Sequence, residues 1–223
     1  MEHRRVTLII YGMGTYLGRE VARFGRAMGH RIVGVVRDSI PPFEHPWMHG
    51  IHWVRDGEVI TESWSDGPPA AIIYADTALW DGDRHRFQRI LVQRPQELAE
   101  EARHLEPAPR FVLRSTIDQP FLSSRFTAHN RRAEQVIAES NLPYAILRFP
   151  LLYGEERPDS VAAMMMLRAL RRMPLGPYAD TSLPTMPVET AALACLRAAL
   201  EPDISGIFGP QEIARIGDVM IAQ

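Results

Sequence analysis

The sequence predicts an α/β protein, a doubly wound parallel sheet, because buried-strand runs alternate with helical segments along most of its 223 residues. The first run, 6–11, is continuously apolar and β-branched, as in a strand that is covered on both faces. A helical apolar stripe follows, formed by Leu17, Val21, Phe24 and Met28, and 31–36 is typical of a second strand. Such a β-α-β unit has parallel strands and a right-handed crossover.

The later elements continue the alternation. Pro95 lacks a backbone N–H, so it should interrupt or bend the helix in which it lies. Strands are predicted at 51–54, 70–74, 110–113 and 144–147, and helices at 86–104, 126–140, 160–173 and 188–200.

Composition restricts the class of function. All 25 basic side chains are Arg, so a mechanism that needs a lysine is excluded within this chain. The net charge of -2 gives no overall attraction to nucleic acid or to an anionic membrane, and no apolar run approaches the roughly 18 residues of a membrane span. The single cysteine, Cys195, is typical of a reducing compartment. We therefore expect a cytoplasmic protein with neither nucleic acid nor membrane as a partner.

Three histidines, His45, His49 and His52, are close together in the sequence. A zinc site needs ligands that are held on one scaffold and supported by further hydrogen-bond partners. This Pro-containing loop offers neither a helix nor an acidic cluster, so we expect no metal.

A glycine-rich turn joins the first strand to the first helix. Gly12 permits the tight exit from the strand, Gly14 lets backbone approach a pyrophosphate, and Gly18 lets the helix pack against the sheet. The amides at the helix start should point at the phosphates, with the helix dipole behind them. Because a strand precedes the turn and a helix follows it, the pattern predicts a dinucleotide site. Its residues are Gly12, Gly14, Thr15, Tyr16, Leu17 and Gly18.

The end of the second strand bears on the choice of dinucleotide. Arg37 suits the 2′-phosphate of NADP(H), and Asp38 would accept hydrogen bonds from the ribose hydroxyls of NAD(H). Because Arg37 comes first, NADP(H) is favoured and NAD(H) stays the alternative. Asp76, which follows the strand at 70–74, is unfavourable beside a negatively charged dinucleotide, so either it points away or the pocket differs.

Segments spread over most of the chain resemble the extended and atypical short-chain dehydrogenase/reductases, the epimerase/dehydratase and NmrA-like group. The turn at 12–18 is similar to the family's G-x-x-G-[FY]-[IL]-G loop. Further similar segments are 29–30, 111–116 (FVLRST), 148–154 (RFPLLYG), 187–192 and 206–212. The resemblance implies one Rossmann domain, 1–223, with a cofactor-binding core at 1–154 and a smaller C-terminal part at 155–223 that holds the substrate. It places the nicotinamide beside Phe149, Pro150, Leu151 and Leu152.

The chain departs from the family pattern where catalysis is concerned. The family's catalytic tyrosine and lysine correspond to Phe126 and Asn130. Phenylalanine has no proton to exchange, and asparagine has no charge with which to lower a neighbour's pKa. The resemblance leaves Thr116, and Ser115 before it, at the position of the family's substrate-orienting hydroxyl. His129 lies beside the missing pair and is a candidate proton donor.

The resemblance implies two functions of different classes. One is an oxidoreductase of reductase or epimerase type that uses NAD(P)(H) on a small substrate by a variant mechanism. The other is a catalytically inactive, NmrA-like cofactor-sensing regulator or assembly module. A third hypothesis, loss of dinucleotide binding, follows from Asp76 and from Thr15, which replaces the family's middle glycine. The implied partners are a dinucleotide and a small molecule, and a homodimer is compatible with the family.

Overall fold

A seven-stranded, entirely parallel sheet forms the centre of the molecule. The structure, a computed structural model, describes residues 5–37, 45–57, 68–77, 84–119, 122–154 and 184–218. In their order across the sheet the strands are β3 (His52–Arg55), β2 (Arg31–Val36), β1 (Thr7–Tyr11), β4 (Ala71–Tyr74), β5 (Arg110–Thr116), β6 (Tyr144–Phe149) and β9 (Gly206–Phe208). Two further strands, β7 (Leu151–Tyr153) and β8 (Thr185–Pro187), form a small parallel sheet of their own.

Helices cover both faces of the large sheet, so the predicted doubly wound α/β fold is confirmed. One face packs against α1 (Tyr16–Ala27), α5 (Val188–Leu200) and α6 (Pro210–Asp218), and the other packs against α3 (Arg94–Ala102) and α4 (Ser124–Ala138). Side chains of β1 alternate between the two layers, with Ile10 in the first and Ile9 in the second. Burial on both faces explains why the strand sequences are continuously apolar.

The predicted interruption of the helical segment at 86–104 is present, and it lies just before Pro95. The segment begins as α2 (Arg84–Gln88), widens into a π-helical turn (Arg89–Gln93) and continues as α3. Pro95 has no N–H to donate to the carbonyl of Leu91, and its ring crowds that carbonyl. The wider turn relieves both problems.

The C-terminal region returns to the large sheet. Strand β9 pairs with β6, and α5 packs beside α1 against the core. Residues 155–183 lie outside the described residues, including the helix predicted at 160–173. The division of the chain at residue 154 and the small substrate lobe therefore stay predictions.

The strand order fixes where a ligand crevice can form. From β1 the chain passes to β2 on one side, and later to β4 on the other side. In open parallel sheets, ligands bind at the carboxyl edge where the order reverses in this way. The predicted glycine turn leaves β1 at this edge.

None of the described helices is long and apolar enough to cross a lipid bilayer. Within the same described ranges, no group of three or more His, Cys, Asp or Glu side chains is arranged to hold a metal ion.

Candidate dinucleotide site

The glycine turn is packed tightly where it touches protein and is open where it faces solvent. Gly12 has a φ of +84°, and a Cβ there would lie 2.5 Å from the backbone nitrogen of Asp76. A Cβ at Gly18 would collide with the Gly12 carbonyl. Gly14 is exposed, and no atom of another described element lies within 4 Å of the place where its Cβ would be. The first and third glycines are therefore required by packing, and the second leaves backbone free for a ligand.

Thr15, which replaces the family's middle glycine, is the N-cap of α1. Its hydroxyl donates to the carbonyl of Gly12 (2.7 Å) and accepts from the amide of Gly18 (3.1 Å). The side chain thus turns into the loop and satisfies one of the amides that a helix start leaves without a partner. The amides of Tyr16 and Leu17 have no intrahelical acceptor either, because they belong to the same first turn.

These features fit the pyrophosphate of a dinucleotide. The open backbone at Gly14 adjoins a helix N-terminus whose dipole favours an anion, and Thr15 does not fill the space above the turn with its hydroxyl. The phenol of Tyr16 lies against Gly154, where a side chain would clash with it. This contact brings the turn next to the segment 149–154. A single dinucleotide could therefore contact both.

Arg37 is not free at the end of β2. Its Nε lies 2.9 Å from Oδ2 of Asp76, and the amide of Thr77 donates to Oδ1 of the same carboxylate (2.8 Å). Burial raises the pKa of Asp76 above its ordinary value, and the charge of Arg37 opposes this rise. The carboxylate of Asp76 is therefore turned toward Arg37, whose positive charge neutralises it. Asp38, the other residue predicted to bind the ribose, lies outside the described residues.

A cavity of about 190 Å³ opens beside this ion pair. Arg94, one of its residues, is bound to Asp56 (2.7 Å) and Glu97 (3.1 Å). Arg89 is exposed and makes no ion pair or hydrogen bond with the described residues. The cavity is lined by Arg37, Asp56, Tyr74, Asp76, Arg86, Arg89, Ile90 and Arg94. Among the described residues that line it, four guanidinium groups stand against two carboxylates, an excess of positive charge.

Three arginines of this cavity were not predicted from the sequence: Arg86, Arg89 and Arg94. Arg86 and Arg89 are three positions apart, so they share one face of a helix, and this spacing was a usable signal. Arg94 also lines the cavity, but it follows a π-helical turn that shifts the register of the helix. Regular helical spacing from Arg86 and Arg89 therefore did not indicate it.

The other end of the crevice is formed by the ends of β5 and β6. Thr116 pairs with Phe149 in the sheet, and its hydroxyl lies 3.3 Å from the Phe149 carbonyl. Ser115 points to the opposite face, where it is fully buried and donates to Glu134. Pro150 is buried after Phe149, and Leu151 and Leu152 are half-buried in β7. The structure therefore joins Thr116 to the segment 149–152 and separates Ser115 from it.

Helix α4 carries the positions of the family's catalytic pair. Phe126 is buried against Phe87, with 5.9 Å between ring centroids, and the Asn130 amide donates to the Phe126 carbonyl (2.8 Å). His129 is partly exposed on the same helix, and its Nδ1 lies 2.8 Å from the Arg125 carbonyl. A carbonyl only accepts, so Nδ1 carries the proton, and in the neutral ring Nε2 holds the lone pair.

A buried carboxylate, that of Glu134, connects α4 to the ends of β5 and β6. Glu134 is 3% exposed and receives Arg131 Nη1 (2.6 Å), Arg148 Nε (3.0 Å) and the Ser115 hydroxyl. Burial by itself raises the pKa of Glu134, but the hydrogen bonds from Arg148 and Ser115 and the charge of Arg131 lower it overall. Arg131 also donates to the Thr116 carbonyl (2.9 Å), so this network holds the strand end on which Thr116 lies.

Comparison with known proteins identifies similar folds. No protein-family model matches the sequence, and no curated protein sequence is detectably similar to it. Among solved structures, the Bordetella bronchiseptica enzyme WbmG in complex with NAD superposes with a TM-score of 0.69 at 16% identity, over 99% of this chain and 78% of that one.

Two further structures give similar values. The UDP-N-acetylglucosamine 4-epimerase from Bacillus cereus has a TM-score of 0.65 at 16% identity, over 94% of this chain and 83% of that one. The human epimerase family protein SDR39U1 with NADPH has a TM-score of 0.64 at 15% identity, over 91% and 73% of the two chains. The resemblance that the motifs predicted is thus confirmed at the level of the fold. The chain has a Rossmann fold, similar to that of these solved epimerase structures.

Proposed function

We propose that this protein is an NAD(P)(H)-dependent oxidoreductase of the epimerase or reductase type that acts on a small substrate. The observation that carries the proposal is the turn at 12–18, which is open at Gly14, capped by Thr15 and held against the end of β4. Solved structures with this fold include proteins bound to NAD and to NADPH, which supports a dinucleotide as the ligand.

NADP(H) is the favoured cofactor, with NAD(H) as the alternative. Arg37 is bound to Asp76, so it is a weaker phosphate ligand than the sequence alone indicated. Arg89 and Arg86 line the same cavity, and Arg89 has no partner among the described residues. A 2′-phosphate would bind these guanidiniums by charge-assisted hydrogen bonds. Arg37 would then fix the position of the ribose.

The chemistry rests on residues other than a tyrosine and lysine pair. A bound dinucleotide supplies the hydride donor or acceptor, and the protein positions and polarises the substrate. Thr116 is the candidate for orienting a substrate hydroxyl or carbonyl, because its own hydroxyl lies at the end of β5 beside Phe149. His129 is the candidate for proton transfer through Nε2. Ser115 donates to Glu134 on the opposite face of the sheet, and this bond would hold the end of β5 on which Thr116 lies.

Calorimetric titration of the cofactor-free protein with NADPH, NADP, NADH and NAD tests the cofactor. We expect micromolar binding of NADPH, and a loss of tenfold or more, about 1.4 kcal/mol, in Arg89→Ala and in Arg37→Ala. Arg103→Ala is the matched control. Arg103 is exposed at the end of the same helical segment, and its ion-pair partner among the described residues is Glu100. Failure of all four nucleotides to bind would overturn the proposal and leave the third hypothesis, loss of the cofactor.

Turnover separates an enzyme from a sensing module. We expect the protein to oxidise NADPH with at least one member of a carbonyl panel, and His129→Ala to lose most of that rate while binding the nucleotide normally. Binding without any turnover would instead favour the cofactor-sensing regulator. We place the protein in the cytoplasm, because its single buried cysteine suits a reducing compartment. A homodimer is proposed from the family resemblance, and light scattering would test it.

A further inference from the structure

Arg114 is a cation placed inside the central strand β5. It shares the sheet face of Val112, where the surroundings are apolar, and its side chain is partly exposed near Thr77, just beyond the end of β4. Burial lowers the pKa of its guanidinium to about 10, so the group still carries its charge at neutral pH. A charge in such a place is costly unless another group compensates it.

The described residues compensate this charge incompletely. Arg114 donates one hydrogen bond, from Nη1 to the hydroxyl of Thr77 (2.9 Å), and it contacts no carboxylate within the described ranges. Asp76 is the nearby acid, but one of its oxygens binds Arg37 and the other accepts from the Thr77 amide. Among the described residues, Arg37 and Arg114 therefore share the one carboxylate of Asp76, which leaves one positive charge in excess in this group of three.

The order of strands places this charge on the substrate side of the crevice. Along the carboxyl edge, Arg37 follows β2, the glycine turn follows β1, Thr77 lies beyond β4, and Arg114 reaches Thr77 from β5. With the adenosine end at Arg37 and the pyrophosphate at the turn, the reacting end of a dinucleotide lies over β4 and β5. Arg114 is thus two strands beyond the phosphates and on the same strand as Thr116.

We propose that Arg114 binds an oxyanion of the substrate, a carboxylate or a phosphate group, beneath the reacting end of the crevice. This inference rests on the proposed function for the direction in which the dinucleotide lies. A partly exposed guanidinium that gives only one hydrogen bond to the described residues has further N–H donors to match the two oxygens of such a group. The substrate is therefore a small anion, and its charge holds it near the hydroxyl of Thr116.

The test uses oxalate and inorganic phosphate as probes, titrated calorimetrically into the protein with and without saturating dinucleotide. We expect at least one probe to bind, Arg114→Met to weaken it tenfold or more, and dinucleotide affinity to change less than threefold. Thr77→Val keeps the charge but removes its hydrogen bond, so it should weaken the probe by a smaller factor. If Arg114→Met does not fold, the result for Thr77→Val decides the test. Arg103→Met, at an exposed position, is the control and should change nothing.

Three results would overturn the inference. The first is probe binding that Arg114→Met and Thr77→Val leave unchanged, and the second is no probe binding at all. The third is a tenfold loss of dinucleotide affinity in Arg114→Met, which would assign the residue to the cofactor phosphates. If the wild-type protein binds no dinucleotide, the proposed function fails by itself. Arg114-dependent binding of oxalate or phosphate to the nucleotide-free protein would then still support the anion site.

Discussion

Replacing Glu134 with glutamine should destabilise the protein more than any comparable change on the surface of the same helix. The carboxylate is 3% exposed and lies between Arg131 and Arg148, which are 30% and 33% exposed at their side chains. Glutamine has the same shape and retains one acceptor oxygen, but it removes the negative charge. Two guanidiniums would then face each other across a neutral amide.

The magnitude follows from this exposure. Breaking a fully buried ion pair by removing one partner costs about 3–5 kcal/mol. Since both arginines keep about a third of their exposure to solvent, screening reduces the expected loss to about 2 kcal/mol. For a chain of this size that corresponds to a decrease in Tm of roughly 4–8 °C. Urea unfolding followed by circular dichroism measures the difference in free energy.

Glu139→Gln is the matched control, because Glu139 is exposed just beyond the end of the same helix and, among the described residues, its carboxylate accepts a hydrogen bond only from Gln135. We expect this change to cost less than about 0.5 kcal/mol. If the two variants unfold within 0.5 kcal/mol of each other, roughly the limit of such measurements, the carboxylate does not hold α4 to the strand ends. The positioning of Thr116 through Arg131 would then need another explanation.

Three further predictions concern the turn and the same carboxylate. Gly12→Ala should cost more than about 2 kcal/mol in urea unfolding and abolish nucleotide binding, because its Cβ would lie 2.5 Å from the backbone of Asp76. Gly57 also has a positive φ, +94°, but no described residue lies within 4 Å of its Cβ position, so equal losses in Gly12→Ala and Gly57→Ala would contradict the packing argument. Thr15→Ala should cost about 1 kcal/mol through loss of the N-cap, whereas Thr15→Gly should cost only a few tenths, and equal Tm values for the two would refute a capping role. The pKa of Glu134 is lowered in the folded state, so its stabilisation is complete above the unfolded pKa and is lost as pH falls through the folded value. The advantage of wild type over Glu134→Gln should therefore shrink below about pH 4, and a gap that is constant between pH 7 and pH 3 would contradict this sign.

Most of the fold was predictable because its elements are encoded locally. Continuous apolar runs identified the buried strands, and the stripe from Leu17 to Met28 identified α1. The main error in a boundary was at β5, which was predicted to end at residue 113 and continues to Thr116. Arg114 and Ser115 are polar, so periodicity alone excluded them from a strand. They are accommodated by Thr77 and Glu134, partners that are distant in the sequence.

Part of the candidate site was likewise predictable from local sequence, and part of it was not. The glycine turn was recognisable because its function depends on backbone conformation, which neighbouring residues determine. The pairing of Arg37 with Asp76 joins residues 39 positions apart and changes the meaning of Arg37 from a free phosphate ligand to a neutralised one. The cavity with Arg89 likewise required the helix after β4 to pack across the strand ends.

The sequence by itself determined the parallel α/β architecture, the dinucleotide-type turn and the absence of lysine, because each depends on local pattern or on composition. Only the tertiary structure decided which charges neutralise one another. It paired Asp76 with Arg37, buried Phe126 against Phe87, and left Arg114 with an uncompensated charge among the described residues. The physical reason is that electrostatic energy depends on distance and burial, and for residues far apart in the chain the fold alone sets both.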